Sequence, residues 1–286
     1  MIFEIKRILR TQTALQNLIF SFLVFSGLNN KFILFTEKRA KRKSVNINYC
    51  HDFKNIGDNI SPVIVKYAAG LYGIKPDKEV SETRHLYAVG SIITAGAQDC
   101  TVWGSGLLNT KILYRLKHRK IKIQAVRGPL SRVILLDQGF QAPEVYGDPA
   151  ILMPFIYNPE VEKKYKVSVI THMDEKMECP SVSFHRIKIT TDDYKFFVEE
   201  IKASELIISS SLHGIIFAEA YGIKAVLLNP GSDLFKYYDY YFSTKRYTFP
   251  IAENIAEALQ LEAADVPDFS RMQEELIKAF PAFLWE

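Results

Sequence analysis

Short runs of strand-forming residues alternate with helix-patterned stretches along most of this chain, and most of the strand runs end in glycine or small polar residues. "VNINYCH", "HLYAVGSII", "CTVWGSGLL" and "KIQAV" read as strands, with a helical pattern in "NISPVIVKYAAGLYG" and another in "PLSRVILLDQG". "EVYGDPAILMP" reads as a further strand broken at Asp148-Pro149. After the polar stretch "FIYNPEVEKKY" the alternation resumes: "KVSVITHM", "SVSFHRIKI", "ELIISS" and "KAVLLN" as strands, with helices over 192–203 and in "HGIIFAEAYG". Two helices, within 252–264 and 269–283, close the chain. Strands that alternate with helices build parallel sheets covered on both faces. Two such blocks predict an α/β protein with two Rossmann-like doubly wound domains facing a cleft. The expected boundaries are a basic segment at 1–44, a first domain at 45–158 and a second at 159–286. Such sheets bind ligands beyond the C-terminal ends of their strands, so the strand-to-helix loops are where chemistry is expected.

Composition narrows the class. The 286 residues are 48% hydrophobic and 24% charged, as in a globular protein with a sizeable core. A formal net charge of +4 suits anionic small molecules and is far from a nucleic-acid footprint. Cys50, Cys100 and Cys179 form no CxxC pair, which argues against a zinc site, against a disulfide framework and for a reducing, cytoplasmic setting.

The first residues carry Lys6, Arg7 and Arg10 ahead of an apolar run from Leu18 to Phe25. That run is well short of the roughly 20 residues that span a bilayer. It reads as a signal peptide, or as a basic amphipathic helix that docks on the protein or lies on an anionic membrane surface. The amphipathic helix is preferred, with a second basic run at 38–43 supporting peripheral membrane contact.

Four strand-to-helix loops stand out. In "NIGDNIS", Gly57, Asp58 and Asn59 precede a helix whose free N–H groups suit an anion, although Asp58 also serves as a plain helix cap. "GSII" with Gly90 and Ser91, and "WGSG" with Gly104 and Ser105, permit close approach of a ligand or of another backbone. In "VRGPLSR", Arg127 stands just before a helix opened by Pro129, where a guanidinium either forks onto a phosphate or carboxylate or makes a salt bridge. In "SSSLHG", His213 falls at a helix start beside Gly214, placed either as a proton donor to an anionic substrate or as a satisfied structural histidine.

Taken in order, NIGDN, GSI, WGSG, VRGPLSR, YGDPA and SLHG…EA…GIKA resemble the polysaccharide pyruvyl transferase family, from about Tyr49 to about Tyr247. The resemblance implies a fold like that of GT-B glycosyltransferases and phosphoenolpyruvate as donor substrate, with no cofactor and no metal. It implies a sugar or lipid-linked oligosaccharide as acceptor. It makes His213 the general acid or the phosphate ligand, Arg127 a donor-anion contact, and Asp58 the base or orienter of the acceptor hydroxyl. Gly57, Asn59, Gly90, Ser91, Gly104, Ser105, Ser211 and Gly214 would line the substrate site. Two departures stand out. Ser211 occupies a position where many relatives place a basic or other polar residue. The tail "LFKYYDYYFSTKR" matches loosely, so that Arg246 or Lys245 takes the role of a further basic donor contact. Two alternatives remain open: a GT-B glycosyltransferase whose nucleotide ribose is held by Glu219, and a catalytically silent binding protein of a polysaccharide cluster.

Overall fold

The chain builds two parallel sheets, seen in a computed structural model that describes residues 40–50, 54–96, 98–172 and 184–286. The basic amphipathic segment, the signal-peptide alternative and Cys179 lie outside the described residues. Among the described residues no helix is long and apolar enough to cross a membrane.

The first sheet has strand order β1-β2-β3-β4, comprising β1 (Val45–Asn48), β2 (Arg84–Tyr87), β3 (Cys100–Trp103) and β4 (Ile121–Ala125). Every pairing is parallel. The helices of this half are α1 (Ile56–Asn59), α2 (Ser61–Leu71) and α3 (Pro129–Asp137), with the short α4 (Met153–Ile156) at its end. Where the sequence suggested a further strand in "EVYGDPAILMP", the structure forms only a single parallel bridge, Val126 to Tyr146. Gly147 and Pro149 end it at once, and residues Pro149–Leu152 coil into a 3-10 turn.

The second sheet has order β6-β5-β7-β8-β9, again all parallel. Its strands are β5 (Tyr165–Ile170), β6 (His185–Arg186), β7 (Ser204–Ser209), β8 (Lys224–Leu228) and β9 (Ile251–Ala252). Helices α5 (Tyr194–Lys202), α6 (Leu212–Ala220), α7 (Phe235–Ser243), α8 (Ile255–Ala258) and α9 (Ser270–Lys278) accompany them. Strands buried on both faces explain the near-continuous apolar runs of "CTVW" and "LIIS".

One hydrophobic cluster runs through both halves. It joins Ile64 and Val65 of α2 to Trp103, Ile151, Ile207 and Phe217. The chain's end returns to the first sheet: Trp103 donates its indole N–H to Leu276 O (2.8 Å), and Arg84 donates to the carbonyls of Phe283 and Leu284 (2.8 and 2.7 Å). Leu276 is the buried residue of α9.

Candidate functional site

The loops after β1, β2, β5 and β7 meet around a small cavity, together with the first turn of α7. The cavity measures about 190 Å³, and Asn55, Asp58, Ser91, Ser211, His213 and Lys236 supply its polar wall.

The serine run after β7 explains how the histidine is presented. Ser209 Oγ accepts from Ser211 N–H (3.0 Å), which folds the loop back on itself. Ser210 Oγ accepts from His172 N–H (2.9 Å), tying the loop to the end of β5. Ser211 is left at the N-cap of α6 with no side-chain capping bond. Ser211, Leu212 and His213 at the start of α6 line the cavity, at the positive end of the helix dipole. Gly214 lets α6 sit down on β7, because a Cβ there would lie 2.3 Å from Ser209 Oγ.

His213 lies between two loops of the first half. A Cβ on Gly57 would stand 2.0 Å from His213 Nδ1, so the glycine is required for the ring to lie where it does. On its other side, His213 Nε2 is 3.7 Å from Oδ2 of Asp148. Both atoms are enclosed and have no hydrogen-bond partner.

Asp58 follows Gly57 on α1, whose N-terminus is capped by Asn55 rather than by Asp58 itself. Burial pushes its carboxyl above the ordinary range, an effect opposed by the charges of His213 and Lys236 and reinforced by Asp148. Gly90 is adjacent: its φ of +101° suits glycine, and a Cβ there would lie 2.9 Å from Asp58 Oδ1.

Arg127 requires a correction. It does not reach the cavity; its side chain is wholly buried and fully committed. Nε donates to Asp239 Oδ2 (3.1 Å), with Nη2 in ion-pair contact with the same oxygen (2.9 Å); Nη2 donates to Leu107 O (2.7 Å) and Nη1 to Ser91 Oγ (2.5 Å). Asp239 in turn accepts from Ser131 N–H (2.8 Å) and Ser131 Oγ–H (2.6 Å). A carboxylate on α7 thus caps α3 from outside, a role Gly128 at the N-cap has no side chain to perform. Gly128 is bare for the same reason: a Cβ would fall 1.8 Å from Asp239 O.

Arg246 is also spent elsewhere. It forms a two-pronged pair with Glu219 (2.6 and 2.7 Å), and Tyr240 O–H donates to the same carboxylate (2.5 Å). Glu219 is therefore not available to a ribose. Gly104 and Ser105 lie behind the cavity. Gly104 packs against Pro149, and Ser105 Oγ donates to Gly90 O (2.8 Å), so both brace neighbouring loops. Asn59 stands one residue beyond Asp58 on α1, outside the cavity wall. Of the residues expected from the sequence, Asp58, Ser91, Ser211 and His213 line the cavity, Gly57 and Gly90 shape it, and the remainder do not meet there.

Two residues were missed. Lys236, in the first turn of α7, is a cation on the cavity wall, from the same stretch in which Lys245 and Arg246 had been considered. The helix is held so that Lys236 faces inward by Tyr237 O–H to Ser210 O (2.5 Å) and by Asp239 at Arg127. Asp148 was visible in "YGDPA", but nothing local to that motif announces a histidine 65 residues away as its neighbour.

Two parallel sheets with a polar cavity built from their strand-to-helix loops define an α/β protein of the kind that binds small ligands at strand ends. The polysaccharide pyruvyl transferase family model matches residues 47–232, and the chain belongs to that family of transferases acting on polysaccharide. It is 27% identical over 219 residues to the uncharacterized protein L143 of Acanthamoeba polyphaga mimivirus, covering 70% of this chain and 74% of that one. It is also similar to the crystal structure of a functionally uncharacterized protein from Klebsiella pneumoniae, at 12% identity and a TM-score of 0.48, covering 77% of this chain and 92% of the other.

Proposed function

We propose that this chain moves the pyruvyl unit of phosphoenolpyruvate onto two hydroxyls of a sugar in a polysaccharide or its lipid-linked precursor, forming a pyruvate ketal and releasing phosphate. The observation that carries the reading is the meeting of Lys236, the N-terminus of α6 and His213 around one small cavity, in a member of this family. A donor with a phosphate and a carboxylate calls for a cation and open backbone N–H groups. In this reading His213 gives a proton to the methylene carbon of the donor. The first sugar hydroxyl attacks the oxocarbenium-like carbon, the second displaces phosphate, and both hydroxyl protons leave. Asp58 orients the acceptor and takes a proton; a carboxylate with a raised pKa is the better base. The residues 45–158 then form the acceptor side and 159–286 the donor side of a GT-B-like cleft, with the reaction in the cytoplasm.

A nucleotide-sugar reading is disfavoured on two counts. Glu219 is locked by Arg246 and Tyr240, and it does not line the cavity. Incubation with phosphoenolpyruvate and a panel of glycans tests the proposal. The expected result is phosphate release together with a mass gain on one glycan; release from nucleotide sugars instead would replace it. Vesicle binding by a chain lacking residues 1–30 tests the membrane contact separately.

A further inference from the structure

We propose that Asp148 is the positioning residue of this site: it receives the Nε2 proton of His213 and thereby decides which ring nitrogen meets the ligand. The catalytic consequence rests on the pyruvyl-transfer reading, whereas the tautomer itself does not.

Asp148 has no exposed side-chain surface. Its Oδ1 accepts from Ala150 N–H (3.0 Å) and caps the turn at Pro149–Leu152. Its Oδ2 is enclosed with no donor, and so is Nε2 of His213, 3.7 Å away. An enclosed carboxylate oxygen without a donor is costly, and so is an enclosed ring nitrogen without a partner. One proton on Nε2 answers both needs at once. The separation is longer than a direct hydrogen bond and within ion-pair reach.

The surroundings hold the carboxylate in place. Gly104, with φ of +89°, presses its bare Cα against Pro149; a Cβ would come within 2.4 Å of Pro149 Cδ. The "WGSG" loop thus braces the turn under the imidazole, which gives that motif a role other than touching ligand. Nδ1 packs over Gly57, whose missing side chain makes room for the ring, and His213 lines the cavity. With Nε2–H directed at Asp148, Nδ1 is the atom that exchanges a proton with ligand. In the transfer reaction the doubly protonated ring gives up the Nδ1 proton. The C–H bond forms with the electrons of the donor's C=C bond, and a neutral ring remains with its Nε2–H on Asp148. The carboxylate favours the right tautomer and orientation without itself changing protonation, the logic of acid–histidine pairs in general.

Asp148→Asn separates this role from a structural one, because the amide oxygen still caps Ala150 while the amide N–H₂ replaces the acceptor facing Nε2. The test is long-range ¹⁵N–¹H correlation on ¹⁵N-histidine-labelled full-length protein, with His213 assigned by His213→Gln. The wild type is expected to show the Nε2–H tautomer and Asp148→Asn the Nδ1–H tautomer. Phosphoenolpyruvate turnover should fall on the order of a hundredfold with its binding changed less than threefold, and Asp148→Glu should restore part of the rate. An Nδ1–H tautomer in the wild type overturns the proposal even if the variant fails to fold. So does an unchanged tautomer in Asp148→Asn, or a measurable wild-type turnover that Asp148→Asn leaves unchanged. A wild type that shows the Nε2–H tautomer but never consumes phosphoenolpyruvate upholds the positioning and removes the reaction assigned to it.

Discussion

The polar knot at Arg127 and the polar cavity at His213 are neighbours built from the same kinds of residue, yet their hydrogen-bond ledgers are opposite. At Arg127 every nitrogen of the guanidinium has a partner: Asp239, Ser91, Leu107 and Ser131 complete a closed set with no exposed side-chain surface on either ion. At His213 the ring nitrogen and the carboxylate oxygen beside it are both enclosed and unmet. A closed network resists change and fixes geometry; an open one has interactions left to give. Charge and motif position do not separate the two, since Arg127 stands in a loop as suggestive as the histidine's. The difference lies in whether the group is already satisfied.

That contrast breaks most forcefully at Asp239. Replacing it with Ala leaves Arg127 charged, buried and unpaired, and uncaps α3; the expected loss is about 3–5 kcal/mol of stability, read as a lowered urea midpoint. The double variant Arg127→Met with Asp239→Leu should recover much of that loss. If Asp239→Ala unfolds like the wild type, the knot is not the brace described.

His213→Gln should do the reverse. It removes the proposed acid and lowers the pyruvyl-transfer rate by about 2–4 kcal/mol, a hundredfold or more, with little change in melting temperature. Near-normal turnover would place the chemistry elsewhere.

Gly57→Ala tests the contact between the two halves. The added methyl would sit 2.0 Å from Nδ1, so the ring must move. Overpacking of this kind costs about 1–3 kcal/mol, and the larger share should appear as weakened phosphoenolpyruvate affinity in calorimetry. A variant that binds normally would mean that the ring position is not set by Gly57.

The smallest effect concerns pH. Burial raises the Asp58 pKa in the folded state. The native protein therefore holds a proton that the unfolded chain has lost, and stability falls as pH rises from the unfolded pKa through the raised native one. Asp58→Asn removes that loss. Its melting temperature should exceed the wild type's at neutral pH and converge with it in acid. A gap that persists unchanged in acid would assign the effect to packing instead.

The sheets were legible in the sequence because parallel strands buried on both faces leave unbroken apolar runs such as "CTVW" and "KAVLL". The cavity was half legible. Loops at strand ends point to where ligands sit, which picked out Asp58, Ser91, Ser211 and His213. What could not be read is the pairing across long separations. Arg127 is silenced by Asp239, 112 residues later, and Arg246 by Glu219, 27 residues earlier on α6, and no local pattern reports either pairing. Lys236 was passed over for the basic pair at 245–246 because helical register, together with the buried bonds of Tyr237 and Asp239, decides which lysine faces inward.

The most direct test of the distinction is calorimetric titration of phosphoenolpyruvate into the wild type and Lys236→Gln. A charge-assisted contact contributes about 1.5–3 kcal/mol, so the wild type should bind and the variant should bind at least tenfold more weakly, with its fold intact. Equal affinity in the two proteins, or no binding by the wild type, would contradict the assignment of the donor anion to this cavity.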